Sequence, residues 1–254
     1  MEKNLSIYIS KTSVRVAEVS LSENTTQLLV ESEFQEKREI DYKQELTRIF
    51  HHDSISNDYS DVFLTWCDHN STLCPTRLFQ SSNKKDLASF IHGKQIDLEQ
   101  LDHNRIAELD IVNIFEIPHW VKSFFIIKFP QIIIFHENTI ALRSIFNGST
   151  FKPQTFVNCF DQHFSIQIVG KNELIFSSNF TYNDPQDILY YTLYAIRNAI
   201  ENETLYSLKF HTISPKQQEQ IDTIIKLIQE QNMLPNTQLN HESNQLYKNP
   251  ILCV

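Results

Sequence analysis

Three short runs decide how this chain folds: Thr155–Phe160 (TFVNCF), Phe164–Gly170 (FSIQIVG) and Glu173–Phe180 (ELIFSSNF). Each has the length and the apolar, aromatic or β-branched content of a strand. Only short polar breaks separate them, so they read as a three-stranded meander. The same signature stands at the N-terminus. Leu5 to Ile9 is apolar at 5, 7 and 9, Ser13 to Leu21 is rich in valine, and Thr25 to Phe34 follows in kind.

The pattern extends outward from both meanders. After the second, Asp184-Pro185 is a strong helix start, an N-cap followed by proline at the first helical position. Leu189, Leu193, Ile196 and Ile200 then fall on one face. Leu205 to Phe210 reads as a strand. Ser214-Pro215-Lys216-Gln217 reads as a capping box, opening a helix whose stripe is Ile221, Ile224, Ile225 and Ile228. The tail from Asn232 is polar, with Ile251 to Val254 as a last strand. After the first meander, Tyr42, Leu46, Ile49 and Phe50 have helical spacing. His51 to Ser60 is a polar loop, and Asp61 to Cys67 a buried strand. Leu87, Phe90 and Ile91 mark a short helix that Gly93 ends. Lys94 to Asp110 is polar and fits no single period. Ile111 to Ile117 is strand-like, Pro118 opens a helix over 119–128 at its first position, and Gln131 to Phe135 is a strand. Glu137 to Asn147 is a helix that Gly148 ends. The order is βββαβ…αβα and then βββαβα. This is an α/β chain of two similar lobes with mixed sheets, residues 1–150 and 151–254.

Bulk composition agrees with a folded chain. Of 254 residues, 41% are hydrophobic and 21% charged, which suffices for a sizeable core. Only three glycines occur, Gly93, Gly148 and Gly170, and no glycine-rich phosphate loop can be written with them. The net charge is −9. Basic runs are no longer than pairs such as Lys84-Lys85, followed at once by Asp86, so no nucleic-acid surface is expected. The most apolar window, Phe124 to Phe135, is broken by Lys128 and Pro130 and is far shorter than the roughly 20 residues of a membrane span. Met1 to Ser10 has no signal-peptide core. A cytoplasmic protein without membrane insertion is expected. On that expectation Asn-x-Ser/Thr sequons, among them those at 24, 70, 147, 179 and 202, carry no glycans. The four cysteines, Cys67, Cys74, Cys159 and Cys253, form no C-x-x-C pair and are expected as reduced thiols, with 67 and 159 in the core.

The doubled order resembles the actin-like ATPase superfamily: actin, sugar kinases, heat-shock chaperone ATPases and the bacterial proteins FtsA and PilM. The closer resemblance is to a bacterial family of unknown function that shares this fold. It rests on Leu5-Ser6-Ile7, Leu73-Cys74-Pro75 through Leu78-Phe79, Asn113-Ile114-Phe115-Glu116-Ile117-Pro118, Phe156-Val157-Asn158 through His163-Phe164, and Asp187-Ile188-Leu189-Tyr190-Tyr191.

The superfamily resemblance implies a residue test. Each lobe should begin with strand, Asp-x-Gly turn, strand, the glycine letting backbone amides reach ATP phosphates and the aspartate holding the metal. In Ile7-Tyr8-Ile9-Ser10-Lys11-Thr12-Ser13, Tyr8 stands for the Asp and Ser10 for the Gly. In Val157-Asn158-Cys159-Phe160-Asp161-Gln162-His163, Asn158 and Phe160 stand there instead. Neither turn keeps either residue type. ATP hydrolysis and a bound cofactor are not expected, and the leading expectation is a silent scaffold that binds a protein partner or itself. The alternative is a nucleotide-binding cleft that holds Mg-ATP with Ser10, Lys11, Thr12 and Ser13 from one turn and Asn158, Asp161, Gln162 and His163 from the other. A third reading is a small-molecule enzyme using Glu116 and His119, which flank Pro118 at a strand end.

Other constellations are weaker. Cys67, His69 and Cys74, with His51-His52 upstream, match no standard zinc spacing. Asp161, His163 and Ser165 hold the three triad types, but on neighbouring positions rather than on converging elements. Tyr182, Tyr190, Tyr191 and Tyr194 cluster around one helix. A scaffold should expose such a tyrosine-rich patch.

Overall fold

The computed structural model describes residues 3–34, 38–51, 55, 59–93, 96–146, 151–200 and 205–253. The chain forms two compact units, Met1–Ile140 with Tyr247–Val254, and Ala141–Leu246.

In the first unit, alternation of apolar residues makes β1 (Asn4–Ile9), β2 (Ser13–Ser20) and β3 (Thr25–Glu33) an antiparallel meander. The helix α1 (Glu39–Phe50) leads to β4 (Val62–Trp66), parallel to β1, and β8 (Ile133–His136) lies parallel to β4. The sheet order is β3-β2-β1-β4-β8. Leu5, Ile7 and Ile9 bury one face of β1 with Leu46 and Phe50 of α1. Phe50 meets Phe125 edge to face at 5.3 Å, a preferred aromatic geometry. Phe125 lies on α3 (His119–Lys128). Between β4 and α3 sits a separate three-stranded antiparallel sheet, β5 (Ser71–Pro75), β7 (Ile111–Glu116) and β6 (Leu101–Ile106), with α2 (Lys84–His92).

The second unit repeats the plan without that insertion. The meander is β9 (Gln154–Cys159), β10 (His163–Gly170) and β11 (Glu173–Thr181). It is followed by α5 (Pro185–Ala199), β12 (Ser207–Thr212), α6 (Pro215–Glu230) and β13 (Gln238–Ser243), in the order β11-β10-β9-β12-β13. Both helix starts are capping boxes, at Asp184 and Ser214. The helix α4 (Glu137–Phe146) precedes β9, and α7 (Gln245–Leu252) ends the described chain.

Several expectations need correction. The tail contains the strand β13, Ile251 and Leu252 end α7 rather than forming a strand, Cys253 follows in a turn, and Val254 lies outside the described residues. A run of four apolar residues has no period of its own, and the helix is set instead by the buried Leu246 and Tyr247 one turn earlier. Pro118 is the N-cap of α3, not its first residue. In α2, Phe90 is 87% exposed; its helical spacing marks an outer face, while Gly93 does close the helix with φ 63°. In α5 the buried stripe is Ile188, Leu189, Thr192, Ala195 and Ile196, with Leu193 and Ile200 only partly buried. Lys94–Asp110 contains β6 among its described residues. Gly148, His52 and the sequon positions 147 and 202 lie outside the described residues.

Candidate functional site

The first turn closes on itself. Ser10 N–H donates to the Ser13 carbonyl at 2.9 Å. The Ser10 hydroxyl accepts the backbone N–H groups of Thr12 at 3.1 Å and Ser13 at 3.0 Å, and it also contacts the hydroxyls of both. The amides that a phosphate would need are therefore bonded to a side chain of the same turn. Tyr8 is 3% exposed and packs edge to face on Tyr247 at 5.5 Å. Burial raises its hydroxyl well above the ordinary tyrosine range.

Beside this turn lie the carboxyl ends of the parallel strands β1, β4 and β8, where α/β sheets commonly bind ligands. Lys11 Nζ bonds Asp68 Oδ2 at 2.5 Å, and Asp68 Oδ1 accepts from the Asn70 amide at 2.9 Å. Burial pushes the Asp68 carboxyl up, but the Lys11 bond and charge with the Asn70 amide outweigh it, leaving the group below its ordinary value. Tyr42 donates its hydroxyl to the Lys11 carbonyl at 3.0 Å and stacks on Trp120. Asn138 N–H donates to His136 Nδ1 at 3.1 Å, so the ring proton sits on Nε2, 2.9 Å from the Asp68 carbonyl. Sequence reasoning missed Asp68 and His136; their one signal is that Asp68 follows the buried Trp66-Cys67 strand end and His136 ends β8.

The second turn is closed by rings. Phe160 N–H donates to the His163 carbonyl at 2.9 Å, and the two rings stack at 5.1 Å. Phe160 is 4% exposed. Asp161 Oδ1 accepts from Gln217 Nε2 at 3.2 Å, the same Gln217 that closes the α6 capping box. Gln162 is exposed, and its carbonyl accepts from Tyr182 N–H at 3.4 Å. Asn158 does not face this turn. It is buried within a polar row, donating to Gln167 Oε1 at 2.9 Å and Ser165 Oγ at 3.3 Å while its Oδ1 lies 2.8 Å from His211 Nδ1. His211 Nε2 is 3.6 Å from Glu242 Oε2. His211 lowers the Glu242 carboxyl from its ordinary value, and burial opposes that.

Three further groupings are placed by the fold. Glu116 ends β7 partly buried, and His119 opens α3 on the exposed surface. A Thr212–His241–Asp222 chain, unforeseen in the sequence, has links of 2.9 and 2.7 Å. Thr212 is only 2% exposed, so its hydroxyl is closed to substrate. His163 and Ser165 are buried on β10.

Residues 1–231 match the family described as "Protein of unknown function (DUF3822)". The chain belongs to that family. No curated protein matches it. A solved Bacteroides thetaiotaomicron protein "with actin-like ATPase fold and unknown function" is 18% identical to this DUF3822 protein. It has a TM-score of 0.72, and the match covers 100% of this chain and 96% of that one. A chain of the "PilM-PilN type IV pilus biogenesis complex" is 9% identical with a TM-score of 0.53, covering 94% of this chain and 88% of that chain. The DUF3822 protein has the actin-like ATPase fold, an α/β fold with mixed sheets. No described helix is long and apolar enough to cross a membrane.

Proposed function

We propose that this DUF3822 protein is a catalytically silent actin-like protein that works by binding protein, not by hydrolysing nucleotide. The carrying observation is the first turn, whose Thr12 and Ser13 amides are held by the Ser10 hydroxyl. Mg-ATP, which the fold implies, does not fit the residues present. Tyr8 and Asn158 supply a buried phenol and a committed amide where Mg²⁺ chemistry requires anionic oxygens. Phe160 fills the second turn, and Lys11 is bound to Asp68 rather than aimed at a phosphate. Two further features support protein binding. A groove of about 790 Å³ is lined by Phe176, Phe180, Tyr190, Tyr191 and Tyr194, residue types enriched at protein interfaces. The fold is also shared with a chain of a PilM–PilN complex.

Calorimetric titration of the purified chain with Mg-ATP, then Mg-ADP, tests the reading. The expected result is no saturable heat with either. Binding tighter than about 100 μM that is lost on replacing Lys11 or Asp161 would overturn it and restore a nucleotide-binding cleft.

A further inference from the structure

The two sheets end in edge strands of unlike character. β3 carries Glu31 and Glu33, and Glu31 is paired with Arg15 at 2.8 Å. β11 is equally long at nine residues, yet ELIFSSNFT has one charge, Glu173 at its first position, and no lysine, arginine or proline. Natural sheets guard exposed edges with charge, proline or brevity, and β11 has none of these along its centre. Beside that edge runs the tyrosine groove. Phe176, Ser178 and Phe180 form its strand wall, and Tyr190, Tyr191 and Tyr194 of α5 its helix wall. Tyr191 stacks on Phe180 at 4.8 Å. Tyr190 and Tyr194 stack on each other at 6.1 Å, yet are 62% and 59% exposed. Ile175 adds an apolar side chain that is 45% exposed.

We propose that the occupant of this edge and groove is a second copy of the chain. Its β11 would pair antiparallel about Ser177 and join two five-stranded sheets into one continuous sheet. This names the partner of the protein-binding reading above and rests on it. A two-fold pairing makes one surface complementary to itself, and two features of β11 suit that. With Ser177 facing its counterpart, Phe176 faces Ser178 of the second copy. The groove-side residues of both copies then share one face. The two Glu173 carboxylates fall at opposite ends of the pairing, roughly 27 Å apart at about 3.4 Å per residue. The α5 helices lie antiparallel on that face, and Tyr190 and Tyr194 of each copy fill the groove of the other.

Sedimentation equilibrium of the full chain between about 1 and 100 μM is the test. The expected mass at the upper end is about 60 kDa, twice the 29.9 kDa of one chain. Tyr190→Glu with Tyr194→Glu changes two exposed side chains. It is expected to keep the circular dichroism spectrum and to weaken association about 100-fold. Hydrogen exchange should show β11 amides protected at high concentration and released on dilution, with β3 unchanged at both. A monomer at 100 μM, a dimer that the Tyr190→Glu, Tyr194→Glu chain retains, or protection outside β11 and α5 would overturn the proposal. Nucleotide titration on the same samples judges the protein-binding reading separately. Tight Mg-ATP binding by an intact β11 dimer overturns that reading alone, and a nucleotide-silent monomer overturns the dimer alone.

Discussion

The turns Ser10–Ser13 and Phe160–His163 occupy matching places in the two units and share one backbone bond, from the first N–H to the fourth carbonyl, at 2.9 Å in both. Their side chains close them by different means. In the first, a hydroxyl takes up the amides; in the second, a phenylalanine ring packs on a histidine ring. The hairpin is a property of backbone and meander and is kept in both units. Phosphate chemistry depends on which side chains line the hairpin, and on the function proposed above neither set suits it. The contrast also says what each turn contributes to stability: buried apolar surface in one, satisfied hydrogen bonds in the other.

That contrast can be broken by substitution, the largest effect first. Phe160→Gly removes a ring that is 4% exposed and should cost about 3–5 kcal/mol in urea unfolding; a loss below about 1 kcal/mol would mean the ring is not part of the packed turn. Ser10→Ala strips two amides of their acceptor in a partly exposed turn and should cost about 1–2 kcal/mol by the same measurement. Lys11→Met removes an exposed cation from a buried carboxylate and should cost about 1 kcal/mol at neutral pH.

The smallest effect is a pH dependence. Asp68 is held below its ordinary value in the folded chain, so its pairing contributes fully above the unfolded carboxylate value of about 3.9. As pH falls through that value the unfolded chain takes up the proton first, and the contribution is lost as pH falls toward the folded value. Urea midpoints measured from about pH 6 down to about pH 3 should therefore fall less steeply for Asp68→Asn than for the unaltered chain. Parallel curves would remove Asp68 from the account.

The fold was legible because its elements carry strong local signals. The period-two runs of β1, β2, β9 and β10 bury nearly every residue, and Asp184 and Ser214 cap their helices as their spacing predicts. β13 was not legible, because QLNHES sits at a sheet edge half in solvent and has little apolar pattern. That Tyr8, Ser10, Asn158 and Phe160 stand where the resemblance would put Asp and Gly could be read directly. The side-chain bonding that replaces them could not. Asp68 lies 57 residues from Lys11, and His211 lies 53 from Asn158. Such pairs exist only once parallel strands bring distant carboxyl ends together.

The most direct test follows the backbone amides of Thr12 and Ser13 by nuclear magnetic resonance while Mg-ATP is added to the full chain. The account predicts that both resonances stay in place up to about 1 mM nucleotide, because the Ser10 hydroxyl already holds them. Saturable shifts of these two amides would show phosphate displacing that hydroxyl and would contradict the claim that the turn is closed.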